Sequence, residues 1–247
     1  MYICGGVRGE CSERSTVQRL HFCVSPGKTW GDPCGQAVLC VHGIQDNASS
    51  FNRLIPLLPA TFYSVCIDLP GHGYSSHFPE GLPLDLMDYV LSLIRVLDHL
   101  QWESCYYIGH SLGGQLGLYL CSLWPQRVKK LVLLDTLGPF YTRTDSYLSH
   151  NGLLLGNVLR TEEQFSSKKR PVYTYQEALD RIMTSRFSQL TEEAAKIMIK
   201  RSLTKSSDEG FIFTPDQRLK MRLTSLLNEE QQLQVCATFV ENKYKYI

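Results

Sequence analysis

From Ala37 onward, short apolar runs alternate with runs whose apolar positions recur every three or four residues, the pattern of parallel strands joined by crossover helices. Four runs read as strands: AVLCVHG (37–43), the front of FYSVCIDLPGHG (62–73), SCYYIGHS (104–111) and VKKLVLLD (128–135). Between them, SSFNRLIPLL (49–58) predicts a helix capped by Ser49 or Ser50. Apolar residues at 86, 90, 93, 94, 97 and 100 predict a second helix with one face on the sheet, and LGGQLGLYLCSLW (112–124) a third.

The pattern changes after Leu137. No strong strand run occurs up to Gln217, but YQEALDRIMTSRF (175–187) and TEEAAKIMIKRSL (191–203) are helix-like, the second opened by Thr191 with Glu192 and Glu193. An all-helical insertion is expected there, and LQVCATFV (233–240) predicts a return to strand. The expected organisation is an α/β core over 1–136, a helical insertion over 137–217 and a return to the core over 218–247, with a mostly parallel twisted sheet flanked by helices.

Composition narrows the partners. With 25 basic and 24 acidic side chains, the net charge of +1 creates no field that would gather nucleic acid or an anionic membrane, which favours a small-molecule substrate. No apolar run approaches the roughly 20 residues that span a bilayer, and the first residues lack the apolar centre of a signal peptide, so a soluble intracellular chain is expected. Of nine cysteines, Cys40, Cys66 and Cys105 fall in strand-like runs, where free thiols behave as small hydrophobes. Cys4, Cys11, Cys23 and Cys34 show no metal-binding spacing, and PGKT (26–29) lacks the earlier glycine of a phosphate loop. Neither a metal nor a cofactor is expected.

The chemistry concentrates at Gly109-His110-Ser111-Leu112-Gly113, a G-x-S-x-G pattern where a strand gives way to a helix. Such a turn is tight and strained, and it holds the serine hydroxyl clear of the sheet, which makes Ser111 the candidate nucleophile. The N–H of Leu112 at the helix start, and that of Ile44 after the first strand, are the candidate oxyanion donors. His42, Gly43 and His110 are placed on the substrate side, Gly43 because it lets backbone approach the substrate. His72 and His77 follow the carboxyl end of a strand and are candidates to line the pocket. Strand alternation sends the His110 ring away from the serine's side.

VLCVHGIQDNASSFNRLIPLLP, DLPGHGYSSH, IGHSLGG, KLVLLDT and DQRL (216–219) together resemble the serine hydrolase-like protein family of the α/β-hydrolase superfamily. The resemblance covers most of residues 37 to 240. It implies an eight-stranded sheet, a cap over the insertion, and hydrolysis of esters or similar acyl compounds through an acyl-enzyme at Ser111. A cytoplasmic, perinuclear-vesicle or peroxisomal location goes with it.

One departure stands out. In the superfamily an acid and then a histidine follow the serine in sequence, yet no histidine follows His150. Asp135 is one candidate acid, with a structural capping role as the alternative, and Glu241, after the expected strand 233–240, is another. The last strand and closing helix of the superfamily are expected to be missing. Two readings follow: a serine esterase impaired for want of its base, or a non-catalytic domain that binds a ligand or partner.

Overall fold

The computed structural model describes residues 25–79, 84–136, 138, 143–167, 170–184, 189–220 and 227–241. Five strands form one sheet: β1 (Ser25–Trp30), β2 (Gln36–Val41), β3 (Phe62–Asp68), β4 (Cys105–His110) and β5 (Val128–Leu134), in the order β1-β3-β2-β4-β5. β2 to β5 run parallel and β1 is antiparallel to β3. The four expected strands are therefore present. The fifth, β1, carries the PGKT segment, with Gly27 at a positive φ of 55 where the register shifts.

Helix α1 (Leu86–His99) buries Leu86, Tyr89, Val90, Leu93, Val96 and Leu97, close to the face read from the periodicity. Its cap is Asp85, whose side chain accepts the N–H of Met87. Helix α2 (Leu112–Leu123) is buried nearly all round because it lies between the sheet and other helices. Leu116 and Leu120 are fully buried there, each contributing about 1.5–3 kcal/mol relative to exposure. Cys40, Cys66, Cys105 and Cys121 are buried free thiols, as strand and helix positions in this core require.

Three expectations fail. Residues 49–58 form two short 3-10 turns, 48–51 and 55–57, rather than one helix; the cap is Asn47, whose side chain accepts the N–H of Ser49. The insertion is not all helical. Besides α3 (Tyr147–Ser167), α4 (Tyr175–Thr184) and α5 (Glu192–Ile199), it contains a hairpin of β6 (Leu203–Ser206) and β7 (Gly210–Phe213). Thr191 does cap α5, accepting the N–H of Ala194. Finally, residues 233–240 lie in helix α6 (Glu229–Glu241), which packs on α2: Ser122 Oγ donates to the Val235 carbonyl at 3.2 Å, and Leu227 and Val235 rest on the core. Among the described residues no helix is long and apolar enough to cross a membrane.

Candidate active site

Ser111 sits between β4 and α2 with φ 47 and ψ −114, a conformation that costs a non-glycine residue on the order of 1–3 kcal/mol. Its backbone is pinned on both sides. The N–H of Ser111 donates to the Leu134 carbonyl of β5 at 3.0 Å, and its own carbonyl accepts from the N–H of Gly114 (2.9 Å), the N–H of Gln115 (3.1 Å) and Thr136 Oγ1 (2.7 Å). The helix can begin this close to the sheet only because residue 113 is glycine: a Cβ there would stand 2.1 Å from the Val41 carbonyl oxygen. Leu112 is the first residue of α2, so its N–H has no acceptor within the helix.

The second loop is a turn over residues 43–46, closed by the N–H of Asp46 donating to the Gly43 carbonyl at 3.2 Å, with Gln45 at φ 60. Gly43 is packed against the elbow. A Cβ at Gly43 would lie 2.8 Å from His110 Nδ1 and 3.2 Å from Ser111 Cβ. His42, fully buried, orients this turn. Its Nε2 accepts the N–H of Leu69 at 3.0 Å, so its proton is on Nδ1, which donates to the Gly43 carbonyl at 2.7 Å. With that carbonyl held by His42 and Asp46, the trans peptide turns the N–H of Ile44 the opposite way. Burial pushes the His42 imidazole below its ordinary pKa, and a second ring proton would face the Leu69 N–H donor head on.

His42 is therefore fully buried with both ring nitrogens on backbone groups, where it braces the peptide of Gly43. The placing of His110 also changes. Its ring does not turn away from the serine, because the positive φ at Ser111 breaks the strand alternation, and both residues abut Gly43. His110 Nδ1 lies 3.4 Å from Asp46 Oδ2. His72 lines no open pocket, whereas His77 is half-buried. His72 is fully buried, Nδ1 donating to the Pro70 carbonyl at 2.9 Å, and His77 faces the Thr214 carbonyl (2.9 Å) and Asp216 (3.7 Å).

Asp135 stands exposed at the end of β5 with φ 52, and among the described residues it pairs with no histidine. Glu241 ends a helix rather than following a strand, so the alignment that made it a candidate acid does not hold. His99, at the C-terminal end of α1, is at the opposite edge of the sheet from Ser111, since α1 leads into the start of β4. His21 lies outside the described residues. The DQRL segment has a structural role: Asp216 and Arg218 pair at 2.7 Å, Arg218 donates to the carbonyls of Phe78 and Pro79, and the Asp216 N–H donates to the Gly71 carbonyl. Burial raises the Asp216 pKa, but the bonds from Arg218 outweigh it and hold the carboxyl below its usual range.

Asp46, Gln45 and Asn47 were not singled out by sequence. Their long-range side-chain partners lie at position 110 or beyond residue 197, and only the capping of residues 48–51 by Asn47 is local.

A family described as the alpha/beta hydrolase fold matches residues 36–207. The chain is 36% identical to a serine hydrolase-like protein of Danio rerio, covering 85% of this chain and 64% of that one. It is 39% identical to serine hydrolase-like protein 2 of Homo sapiens, covering 78% and 60%. The chain thus spans less than two thirds of the length of these relatives. Among solved structures, a hypothetical protein of Pseudomonas aeruginosa PAO1 superimposes with a TM-score of 0.76 at 30% identity, over 88% of this chain and 74% of that one. The thioesterase domain from the curacin biosynthetic pathway superimposes with a TM-score of 0.70 at 24% identity over 88% and 74%, a likeness of fold alone. With the family matched over most of its length, this chain belongs to the α/β-hydrolase fold family.

Proposed function

We propose that the chain is a serine hydrolase acting on ester-like acyl substrates, with Ser111 as nucleophile. The observation that carries this reading is the strained backbone of Ser111, pinned on both sides, with Gly43 packed against its Cβ. Serine Oγ attacks the acyl carbon, the N–H groups of Leu112 and Ile44 receive the developing oxyanion, the leaving group departs with a proton, and water later releases the acid. Such donors are worth about 3–4 kcal/mol each in the transition state.

The base is the weak point of this reading. Of the described histidines, His42 and His72 are buried and committed to backbone, His77 is turned to the 214–216 segment, His110 is held beside Asp46, His99 ends α1 and His150 lies in α3. Attack is therefore slow in this polypeptide, sustained by the oxyanion donors and by binding.

A fluorophosphonate probe tests both halves. Polypeptide 1–247 is expected to label slowly at one site, and Ser111→Ala to abolish the label. Labelling that survives in Ser111→Ala removes the assignment of the nucleophile. A rate matching that of serine hydrolases with an intact triad would show that a base is in place after all. No labelling in a chain that still binds acyl analogues supports the ligand-binding reading, which the distribution of histidines favours.

A further inference from the structure

The turn that offers the Ile44 N–H is also where the end of α5 and the 217–220 turn are fastened to the core. Gln45 Nε2 donates to the Leu219 carbonyl at 3.1 Å. Asn47, fully buried, donates from Nδ2 to the Met198 carbonyl and to Ser202 Oγ, both at 3.0 Å, while its Oδ1 accepts the N–H of Ser49. The N–H of Ala48 donates to Asp68 Oδ1 at 2.8 Å, and the other oxygen of Asp68 holds Arg201. Met198, Arg201 and Ser202 lie at the end of α5 or just beyond it, and Leu219 lies in the turn 217–220. Between Gln45 and Asn47, Asp46 engages His110, the neighbour of Ser111. Three consecutive side chains thus link the insertion on one side to the nucleophile elbow on the other.

None of these bonds is needed to close the turn, which the Asp46 N–H to Gly43 carbonyl bond already does. What they supply is position. Gln45 holds a left-handed conformation that is unfavourable for a side-chain-bearing residue, and its bond to Leu219 is what offsets that cost. Release the end of α5 and the 217–220 turn, and the 43–46 turn is free to relax, carrying the Ile44 peptide with it.

We propose that Gln45, Asp46 and Asn47 are positioning residues that set the Ile44 N–H against Ser111 only while the end of α5 and the 217–220 turn are docked. The consequence for the reaction rests on the reading of Ser111 and Ile44 given above; the mechanical coupling does not.

The test is residue-resolved amide exchange in polypeptide 1–247, comparing Gln45→Ala and Ser202→Ala with Thr191→Ala, which removes only the cap of α5. The first two should speed exchange of the Asp46 amide by about 10-fold, the effect of one lost hydrogen bond, while amides of β2 keep their rates. Thr191→Ala should speed α5 amides and leave Asp46 unchanged. In the same two variants the limiting rate of fluorophosphonate labelling should fall by about 10-fold with the half-saturating probe concentration unchanged, a split that general loosening would not give. An Asp46 amide within two-fold of wild type in both variants overturns the coupling. Wild type that never labels instead overturns the nucleophile reading, and the exchange result still decides the coupling.

Discussion

Asp68→Ala should lower the stability of the folded chain by about 3–5 kcal/mol, read as a drop in the urea midpoint at constant slope. Asp68 has no exposed surface and serves four donors: the N–H of Ala48 (2.8 Å), the N–H of Tyr74 (2.9 Å), and Nε (3.0 Å) and Nη2 of Arg201. Alanine would leave the buried N–H of Ala48 and the part-buried N–H of Tyr74 without this acceptor, and a guanidinium, itself almost fully buried, without this carboxylate. The ring of Tyr74, 4.2 Å from the guanidinium, offers only a fraction of that compensation, and its hydroxyl is spent on the Lys200 carbonyl. Gly73, backed directly against the Asp68 carboxyl with φ 53, admits no larger residue to fill the space. Replacing both partners with apolar residues of similar volume, Asp68→Leu with Arg201→Met, should recover the part of the loss that comes from the stranded charge. A loss below about 1 kcal/mol in Asp68→Ala would mean that water reaches the guanidinium and that this contact does not fasten the insertion.

That contact also marks the limit of what the chain discloses when read as a string. The strand-to-helix turn at Ser111 was legible because its requirements are local: a strand run, a serine that needs glycines around it, and a helix start within five residues. Helix α1 was legible because its apolar period of 3.6 is sustained over four turns. The segment 233–240 was misread because a run of eight residues, seven of them apolar or β-branched, suits a strand or a buried helix equally. The deciding signal lay upstream. Asn228 and Gln231 form a reciprocal cap, Asn228 Oδ1 accepting the Gln231 N–H and Gln231 Oε1 accepting the Asn228 N–H, a helix start written as N-x-x-Q.

The hairpin was missed for a similar reason. Its strands are four residues each, but SSDEG between them, with Glu209 at φ 50, has the composition of a three-residue hairpin loop. The placing of His110 failed differently. Alternation is a rule for regular strand, and Ser111 is where the strand stops being regular. The partners of Gln45 and Asn47 lie more than 150 residues away, a pairing that only the folded chain brings about.

Mild acid should destabilise the chain well before its carboxylates protonate. His72 is fully buried, with Nδ1 on the Pro70 carbonyl and Nε2 facing no partner among the described residues, and its ring stands 4.9 Å edge-on from that of His42. Burial first, and then the neighbouring His42, push its pKa from 6.5 down to about 3. The carbonyl of Pro70 and the carboxylates of Asp46 and Asp68 oppose this without reversing it. In the unfolded chain the same imidazole takes its proton near pH 6.5, so the unfolded state binds more protons throughout the interval between the two values. Stability from His72 is therefore complete above about pH 6.5 and is withdrawn as pH falls toward 3. Between pH 7 and pH 5 the loss from His72 alone is about 2 kcal/mol, with a further contribution of the same sign from His42, whose second proton would meet the Leu69 N–H. Urea titrations at the two pH values measure it directly, and His72→Asn should flatten the difference by roughly the His72 share. If the midpoints coincide at pH 7 and pH 5, His72 is reached by water or by a partner for Nε2 that stabilises its charged form. The two imidazoles beneath the Gly43 peptide would then have to be reassigned from fixed neutral braces to groups that titrate within the fold.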